Sequence, residues 1–422
     1  MTKFNPYGDN LLIQHLGPIL EPNEVNKRLL NLPPIPRNIK SFSTQERLHC
    51  LYSLLDFHIP GLEGGRIYQS IDLLLRQSYR YRNPKSPSTW SIVGGEPGII
   101  PNHHAPAMAA TIVGNSGTGK TRSILRSLAC YPRQVIMHNE FPNIVGPHPQ
   151  ISWLSVEVPS SGKSADLAAN LMEELNRVLD RHINDYMPHF EATLAKDRRD
   201  GQKMLDEWRQ VALYYFLGVL HLDEVQNFFK LATLRQRKTR KNTDTSHELS
   251  IVEDKSLKWI LSLLNTYQIP VVFSGTLDGI GALTKRLSTT ERITTGGYHK
   301  LTNFTNPNDE AFKLFFGQLL RYQFVKRPLP DSNEFRQLII DLSAGIPRII
   351  ISLWICTHRV AFERREDSLK LEDFIKASNS YLAPLKPAIS ALNSGDPVKM
   401  ARYDDLLPRD DGIWASFWNP SI

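Results

Sequence analysis

Residues 114–121 read Gly-Asn-Ser-Gly-Thr-Gly-Lys-Thr, the G-x-x-x-x-G-K-[ST] pattern of a phosphate-binding loop. In such a loop the glycines let backbone N–H groups face the phosphates, Lys120 meets the β and γ oxygens, and the Thr121 hydroxyl can ligate Mg²⁺. A glycine turn of another α/β fold is the alternative, but the apolar residues 108–113 supply the strand that normally precedes the loop. The expected nucleotide contacts are Gly114, Asn115, Ser116, Gly117, Thr118, Gly119, Lys120, Thr121 and Arg122.

A second candidate catalytic motif is the acidic pair Asp223 and Glu224, which follows the apolar stretch 214–222. In a Walker B strand, Asp223 would hold Mg²⁺ through its water shell, and Glu224 would orient and deprotonate the attacking water. Adjacent acidic residues also occur in exposed turns, but here they follow an apolar strand downstream of a phosphate loop. The two motifs together predict that the chain binds ATP with Mg²⁺ and hydrolyses it.

A third strand, residues 269–276, ends in polar side chains that could sense the γ-phosphate. Thr276 is the first choice and Ser274 the second, because side chains alternate along a strand and only one register points at the nucleotide. Arg348 lies near the start of an apolar helix and could reach the γ-phosphate from a helical lid. The alternative for Arg348 is a surface arginine that caps carbonyl groups.

Lys285, Arg286 and Arg292 follow the third strand. One of them, with Arg292 the first choice, could act on the nucleotide of a neighbouring subunit as an arginine finger. A solvated basic loop is the alternative interpretation.

In this order the motifs resemble those of AAA+ ATPases, and further segments resemble the transposition regulator TnsC and, more distantly, the TniB regulators. These segments are Tyr79-Arg-Tyr-Arg-Asn-Pro84, Leu222-Asp-Glu-Val-Gln226, Ser274-Gly-Thr276, and residues 385–395 and 401–406. The resemblance covers most of the chain from about residue 65 to 408 and assigns Arg348 the sensor 2 position through Gly-Ile-Pro-Arg.

The resemblance implies an ATP-dependent protein that binds duplex DNA without sequence preference and assembles on it as a ring or helical filament. It also implies two kinds of protein partner, transposase subunits and a target selector of the TniQ or TnsD type. The competing interpretations are an AAA+ initiator or helicase loader, a helicase or clamp-loader motor, and a nucleotide-switched signalling ATPase.

The expected fold class is α/β, with an AAA+ P-loop core built on a parallel sheet and followed by a helical lid. Proline density and amphipathic stretches predict four parts: an irregular N-terminal arm at 1–62, the core at 63–304, the lid at 305–383 and a C-terminal tail at 384–422. The arm is expected to be extended and to dock on its own body or on a neighbour's.

About sixty residues separate the second strand, residues 151–158, from the Walker B strand, which is more than one crossover helix needs and predicts an insertion. Ser161 and Lys163 at a helix start are the first candidates for DNA backbone contact, and Arg198 and Arg199 are the second. Helix caps and solvated charges are the alternative. The basic run 235–241 is either a solvated loop or a source of salt-dependent DNA affinity.

Composition permits this interpretation without requiring it. The chain has 422 residues and a formal charge of +7, a modest excess compatible with nucleic-acid binding. Its three cysteines have no metal-ligand spacing, which indicates a reducing compartment and no structural zinc. The absence of an 18-residue apolar run predicts a cytoplasmic protein with no membrane partner.

Overall fold

The computed structural model describes residues 6–95, 106–196, 200–231, 249–252, 254–286, 290–364, 366–396 and 399. The strands in these residues are β1 Ala109–Val113, β2 Val135–His138, β3 His148–Ile151, β4 Trp153–Glu157, β5 Val219–Asp223, β6 Phe229–Leu231, β7 Leu249–Ile251, β8 Val271–Gly275 and β9 Tyr298–Lys300.

The helices of the first half of the chain are α1 Leu11–Gln14, α2 Pro22–Leu29, α3 Thr44–Leu51, α4 Leu62–Tyr81, α5 Pro87–Val93, α6 Lys120–Leu128, α7 Ser164–His182, α8 Glu191–Leu194 and α9 Gly201–Tyr214. Those of the second half are α10 Asp254–Asn265, α11 Leu277–Arg286, α12 Thr290–Thr294, α13 Glu310–Leu319, α14 Asn333–Ser343, α15 Pro347–Glu363, α16 Leu371–Ser380 and α17 Lys386–Asn393. Short 3-10 turns lie at Ile39–Ser41, Tyr52–Asp56, Val225–Phe228, Leu320–Tyr322 and Ala383–Leu385.

The main sheet has five parallel strands in the order β4-β5-β8-β1-β9. The three inner strands β5, β8 and β1 are buried at every position, which explains why they read as continuous apolar runs in the sequence. The parallel α/β fold predicted from the sequence is confirmed, and the helices α13–α17 that follow it agree with the expected fold class.

The described residues fold as two compact units. The first contains residues up to 25, 63–113 and 123–300, and the second contains 26–62, 114–122 and 301 onward. The predicted N-terminal arm is therefore shared between the units, and it consists of short helices and turns rather than an extended chain.

In the first unit, α4 fixes the beginning of β5. The Tyr79 hydroxyl donates a hydrogen bond of 2.8 Å to the carbonyl of Phe216, and the buried Arg82 guanidinium donates one of 2.7 Å to Leu217. Burial lowers the pKa of Arg82 to about 10, a value that still keeps it charged at neutral pH. A side chain at Gly218 would collide with the Tyr79 hydroxyl, so this glycine is required by close packing.

The predicted insertion between β4 and β5 is present as α7, α8 and α9. The two longer helices pack against each other, and the buried Trp208 of α9 donates its indole N–H to the carbonyl of Leu171 at 2.9 Å. These two helices have 19 and 14 residues, which is more than the single crossover helix between two parallel strands needs, as the length of the segment indicated.

In the second unit, an aromatic core joins the C-terminal helices to the N-terminal segment. The core aromatics are Phe312, Phe316, Phe335, Trp354 and Phe374, and the N-terminal segment adds Ile39, Leu51, Leu54 and Phe57. Arg47 of α3 also makes two hydrogen bonds of 2.8 Å to the Asp367 carboxylate. Residues 26–62 are thus part of this core rather than an appendage to it.

None of the helices in the described residues is long and apolar enough to cross a membrane alone. The pair α14 and α15 reaches that length and composition only together, across a bend of 110°.

Candidate nucleotide-binding site

The predicted phosphate loop follows β1 directly, and α6 begins at Lys120. Gly117 and Gly119 have φ angles of 85° and 96°, in the left-handed region where a Cβ atom is crowded. A glycine loop of this shape at a helix N-terminus can present consecutive backbone N–H groups to an anion. The glycine spacing in the sequence therefore corresponds to a real conformational need.

Lys120 is held within the loop. Its side chain is buried, and its ammonium donates hydrogen bonds to the carbonyl oxygens of Gly114 at 2.9 Å and Asn115 at 3.1 Å. Phosphate oxygens are stronger acceptors for an ammonium than carbonyl groups are. The desolvated lysine and the surrounding glycines therefore fit the triphosphate of ATP.

The first turn of α15 contacts the loop within the second unit. The backbone N–H of Arg348 donates to the carbonyl of Gly117 at 3.2 Å. A Cβ atom added to Gly117 would lie 2.9 Å from Ile346 and 3.1 Å from the Arg348 Cβ. The structure thus brings Arg348 to the loop with its side chain exposed. Contact of this side chain with a γ-phosphate stays a prediction.

Arg122 contacts the N-terminal segment of the same unit. Its guanidinium donates hydrogen bonds to the Asp56 carboxylate at 3.1 Å and to the Leu55 carbonyl at 2.9 Å. Both charged side chains are substantially exposed, so solvent weakens their attraction. Contact of Arg122 with a nucleotide also stays a prediction.

At the end of β5, Asp223 is held by its neighbours in the first unit. Its Oδ1 accepts hydrogen bonds from the Ser274 hydroxyl and from the backbone N–H of Glu224, the latter at 3.0 Å. Two donors on one oxygen fix the rotation of the carboxylate. A carboxylate with this support fits magnesium, which proteins bind through one or two carboxylates plus water and substrate phosphate.

A buried histidine extends this support across three strands. His221 Nε2 lies 2.8 Å from the Ser274 hydroxyl, and its Nδ1 lies 2.8 Å from the Ser155 hydroxyl. Burial lowers the pKa of His221 to about 4, although Asp223 raises it, so the ring is neutral near pH 7. Because the Ser274 proton goes to Asp223, His221 donates from Nε2 and accepts at Nδ1. The sequence interpretation missed His221, although a histidine inside an apolar strand was a visible signal.

Glu224 follows in a left-handed conformation, with φ of 54°, which is unusual for a residue with a side chain. Its carboxylate accepts a hydrogen bond from the Gln226 amide, whose oxygen in turn accepts from the backbone N–H of Thr276 at 3.2 Å. The amide of Gln226 therefore joins the expected catalytic carboxylate to the end of β8.

Gln226 was not among the residues singled out from the sequence. Two glycines leave room for the Gln226 side chain. A Cβ atom on Gly275 would lie 2.7 Å from the Gln226 amide oxygen, and a Cβ atom on Gly279 would lie 2.5 Å from the Gln226 Cβ. The glycine spacing after β8 was the available signal, but it could be interpreted only once the neighbouring strand was known.

The two predicted γ-phosphate sensors have different surroundings. Ser274 is fully buried between His221 and Asp223. Thr276 is also buried, and its hydroxyl accepts from the backbone N–H of Gly279 at 3.4 Å, at the start of α11. Positions two apart share a face within a strand, but β8 ends at Gly275, so Thr276 lies just beyond the strand and has different neighbours. A role for either as a sensor stays a prediction.

Arg292 is exposed on α12. This short helix is tied to β1, since the Thr111 hydroxyl donates to the carbonyl of Ile293 at 2.8 Å. Within the part of the chain that the structure describes, the Arg292 guanidinium has no hydrogen bond or ion pair. Its action as an arginine finger stays a prediction, and the side chains of Lys285 and Arg286 lie outside the described residues.

Among the DNA candidates, Ser161 and Lys163 precede α7. The Ser161 hydroxyl donates to the Asp166 carboxylate and accepts from the backbone N–H of Lys163 at 3.3 Å, a local turn that engages it fully. Lys163 is exposed. Arg198, Arg199, the basic run 235–241 and the tail from 401 lie outside the described residues.

The sequence model of a family described as AAA domain matches residues 104–280, which include the phosphate loop and β5. The α/β part of the chain is an AAA+ core. The matched residues include the loop, Asp223 and Glu224, and their roles in nucleotide binding and hydrolysis stay predictions. No curated protein sequence matches the chain significantly.

Several solved structures have a similar fold. Orc1 of Aeropyrum pernix, solved in complex with DNA, is 12% identical to this chain and has a TM-score of 0.42. The match covers 75% of this chain and 66% of the Orc1 chain, slightly under two thirds of the Orc1 length. Cdc6p of Pyrobaculum aerophilum is 15% identical, with a TM-score of 0.39 over 83% and 84%. The RuvB branch migration motor of Thermotoga maritima is 15% identical, with a TM-score of 0.33 over 68% and 74%. Similarities of this size concern the fold alone.

Proposed function

We propose that this protein binds ATP with Mg²⁺ and hydrolyses it. The observation that carries the proposal is the buried Lys120 inside a loop of left-handed glycines, in an AAA+ core whose β5 ends in Asp223 and Glu224. Strands β1 and β5 are parallel members of one sheet, so the residues that follow them leave the sheet at the same edge.

Each residue then has a defined task. Lys120 and the loop N–H groups would bind the β and γ phosphates, and Thr121 with Asp223 would hold magnesium, which would supply charge neutralisation for the phosphates. Glu224 accepts the proton of the attacking water, while Gln226 orients its carboxylate. Ser274 or Thr276, together with Arg348, responds to the γ-phosphate.

Phosphate release from Mg-ATP tests these roles. Glu224→Gln should keep ATP affinity and lose about 10²-fold or more in turnover, because a positioned general base contributes that much. Lys120→Ala should lose binding itself. Turnover of Glu224→Gln at the parental rate would show that Glu224 is not the base.

We further propose that the protein is an ATP-controlled regulator on duplex DNA, of the kind that TnsC and TniB represent. The segments that carry the resemblance support each other physically, since Gln226 of the Walker B segment packs on Gly275 of the Ser-Gly-Thr segment. Tyr79 and Arg82 of the pre-core segment bind the carbonyls before β5. These segments therefore act on one structural element, the Walker B strand.

The DNA surface would include Lys163, which is exposed at the start of α7. No hydrogen bond or ion pair engages its ammonium in the described ranges. Arg198 and Arg199 would add charge, and the net charge of +7 favours an anionic partner. Contacts of this type read the phosphate backbone and not the bases, so we expect binding without sequence preference.

Lys163→Glu tests this surface, with Lys376→Glu, at an exposed position of α16 in the second unit, as a control of identical charge change. Lys163→Glu should weaken duplex binding uniformly across sequences and reduce its salt dependence by about one counterion per protomer. Equal effects of the two variants would indicate a general charge effect only. Binding restricted to one sequence would favour the initiator alternative.

Assembly follows if ATP lies at a subunit junction, with Arg292 supplied by the neighbour. Many weak phosphate contacts would then be multiplied along a ring or filament. Hydrolysis would weaken the junction and release subunits, which makes ATP a timer for how long target DNA stays marked. A TniQ- or TnsD-type selector would start assembly on the target DNA, and transposase subunits would bind the assembled protein.

Strand transfer by transposase subunits, measured with and without this protein and ATP, tests the partner assignment. We expect ATP-dependent stimulation that Lys120→Ala abolishes. ATP-dependent assembly on DNA without any stimulation would favour the initiator or loader class instead.

A further inference from the structure

A directional chain of hydrogen bonds connects strand β4 to the carboxylate at the end of β5. The Ser155 hydroxyl donates to His221 Nδ1, His221 Nε2–H donates to the Ser274 hydroxyl, and that hydroxyl donates to Asp223 Oδ1. The first two contacts are each 2.8 Å long. The chain crosses β4, β5 and β8, which are adjacent in the sheet.

The order of donors is fixed by the carboxylate at the inner end of the chain. An ionised carboxylate only accepts hydrogen bonds, so the single proton of Ser274 is used on Asp223. The Ser274 oxygen must then accept from His221, and that requires the tautomer with hydrogen on Nε2. Each bond therefore depends on the one before it.

Burial makes this arrangement rigid. His221 and Ser274 are both fully buried, where water cannot replace a lost partner. Only Ser155, at the outer end, is partly exposed. Removing the imidazole would leave the Ser274 oxygen without its donor, so the Ser274 hydroxyl, one of the two donors to Asp223 Oδ1, would be held less firmly.

We propose that His221 is a positioning residue for the magnesium ion, acting through Ser274 to set the rotation of the Asp223 carboxylate. The proposal rests on the proposed binding of Mg-ATP. Groups that orient a metal ligand typically change metal affinity about 10- to 100-fold when removed. Because His221 does not touch the nucleotide, its loss should change the magnesium requirement and leave magnesium-free nucleotide binding intact.

The main experiment measures binding of a fluorescent ATP analogue across a magnesium titration. His221→Phe keeps an aromatic ring, of somewhat larger size, but removes both nitrogens, and it should raise the magnesium midpoint about tenfold. His221→Gln can place an amide N–H near the Nε2 position and should restore most of the affinity. Ser155→Ala, which removes only the outer bond, should shift the midpoint about twofold.

Two comparisons separate positioning from general damage. His148→Phe removes another buried histidine, whose ring lies 3.0 Å from the Tyr214 carbonyl, and should leave the midpoint unchanged. Ser274→Ala should shift the midpoint at least as far as His221→Phe, because it removes the donor to Asp223 itself, and the double variant should add nothing to the effect of Ser274→Ala, since both break the same chain. Ser274→Ala also serves as the informative variant if His221→Phe does not fold.

A second readout is independent of nucleotide. In ¹⁵N-histidine spectra of the metal-free protein, the signal that disappears in His221→Gln should show the Nε2–H tautomer. The opposite tautomer, or a parental magnesium midpoint in both His221→Phe and Ser274→Ala, would overturn the positioning role while Mg-ATP binding stands. Absence of magnesium-dependent nucleotide binding in the parent would instead overturn the proposed function and this inference with it.

Discussion

The backbone N–H of Arg348 donates a hydrogen bond of 3.2 Å to the carbonyl of Gly117, which ties the first turn of α15 to the middle of the phosphate loop. The preceding turn is equally constrained. Gly345 has φ of 62°, and a Cβ atom there would lie 1.7 Å from the Phe304 carbonyl oxygen. The loop and the start of this helix therefore form one rigid element within the second unit, and substitutions at their contact should have distinct effects.

Gly117→Ala should be more damaging than Gly119→Ala. Both glycines have positive φ, so either alanine costs about 1–2 kcal/mol of backbone strain. Only the Gly117 variant also drives a methyl group against Ile346 and Arg348, while nothing lies within 4 Å of a Cβ at Gly119. The added overpacking costs about 1–3 kcal/mol. Thermal unfolding without nucleotide should show a lower Tm for Gly117→Ala, and equal Tm values would contradict the contact.

Arg348→Ala should weaken ATP binding about tenfold and leave ADP binding nearly unchanged. The loss of one charge-assisted hydrogen bond to the γ-phosphate accounts for this difference, while the backbone bond to Gly117 remains. Arg359→Ala, on the exposed face of the same helix, is the matched control. Titration with both nucleotides decides the matter, since an equal loss for ATP and ADP would exclude a γ-phosphate role.

Gln226→Met should slow hydrolysis about tenfold without weakening ATP binding. Methionine keeps the bulk that packs on Gly275 and Gly279 but cannot donate to the Glu224 carboxylate. A hydrogen bond to a charged group contributes about 1.5–3 kcal/mol. If the lower part of that energy is used to orient Glu224 for proton transfer, its loss corresponds to a rate about tenfold lower. Gln226→Glu should be slower still because it places a second carboxylate beside Glu224. Steady-state phosphate release at the parental rate in Gln226→Met would disprove the orienting role.

Asp367→Asn should lower stability at neutral pH and lose its effect in acid. The Arg47 guanidinium is the main cause that holds the pKa of Asp367 below its ordinary value, and burial opposes it. Because the pKa of Asp367 is lower in the folded state than in the unfolded state, ionised Asp367 stabilises the fold at any pH above its unfolded pKa of about 3.9. This stabilisation is lost as the pH falls through the pKa of the folded state. Asparagine tolerates the φ of 50° at this position.

The measurement for Asp367→Asn is the Tm as a function of pH. The parent and the variant should differ clearly at pH 7 and converge below about pH 3. A difference that stays constant over this range would show that the Arg47 contact contributes by shape and not by charge. Arg336→Gln, which breaks an ion pair to Asp331 in the same unit, is a comparison that leaves α3 untouched.

The sequence was sufficient for several strands and helices of the core and the lid, because their periodicities are local. The expected strand at 269–276 is observed at Val271–Gly275, and the expected helices near 310, 334, 347 and 371 begin within one residue of those positions. The Asp223–Glu224 pair could be interpreted because it ends a fully buried strand. These features depend on one segment at a time.

The support of the site could not be predicted in the same way. His221, Ser155 and Ser274 come together only because β4, β5 and β8 are neighbours, and strand order is not encoded in any one segment. The proline-rich residues 26–62 show no clear helix or strand periodicity of apolar residues, so their place in the aromatic core of the second unit could not be predicted from the sequence either. Alternation puts Ser274 and Thr276 on the same face of a strand, so it could not indicate which one contacts Asp223.

The most direct test of the account is duplex DNA binding by the full chain with size analysis, in ATP, a non-hydrolysable analogue and ADP. We expect large DNA-bound assemblies with ATP and the analogue, none with ADP, and a longer lifetime on DNA for Glu224→Gln in ATP. DNA binding that is independent of nucleotide, or release by Glu224→Gln as fast as by the parent, would contradict ATP-controlled assembly.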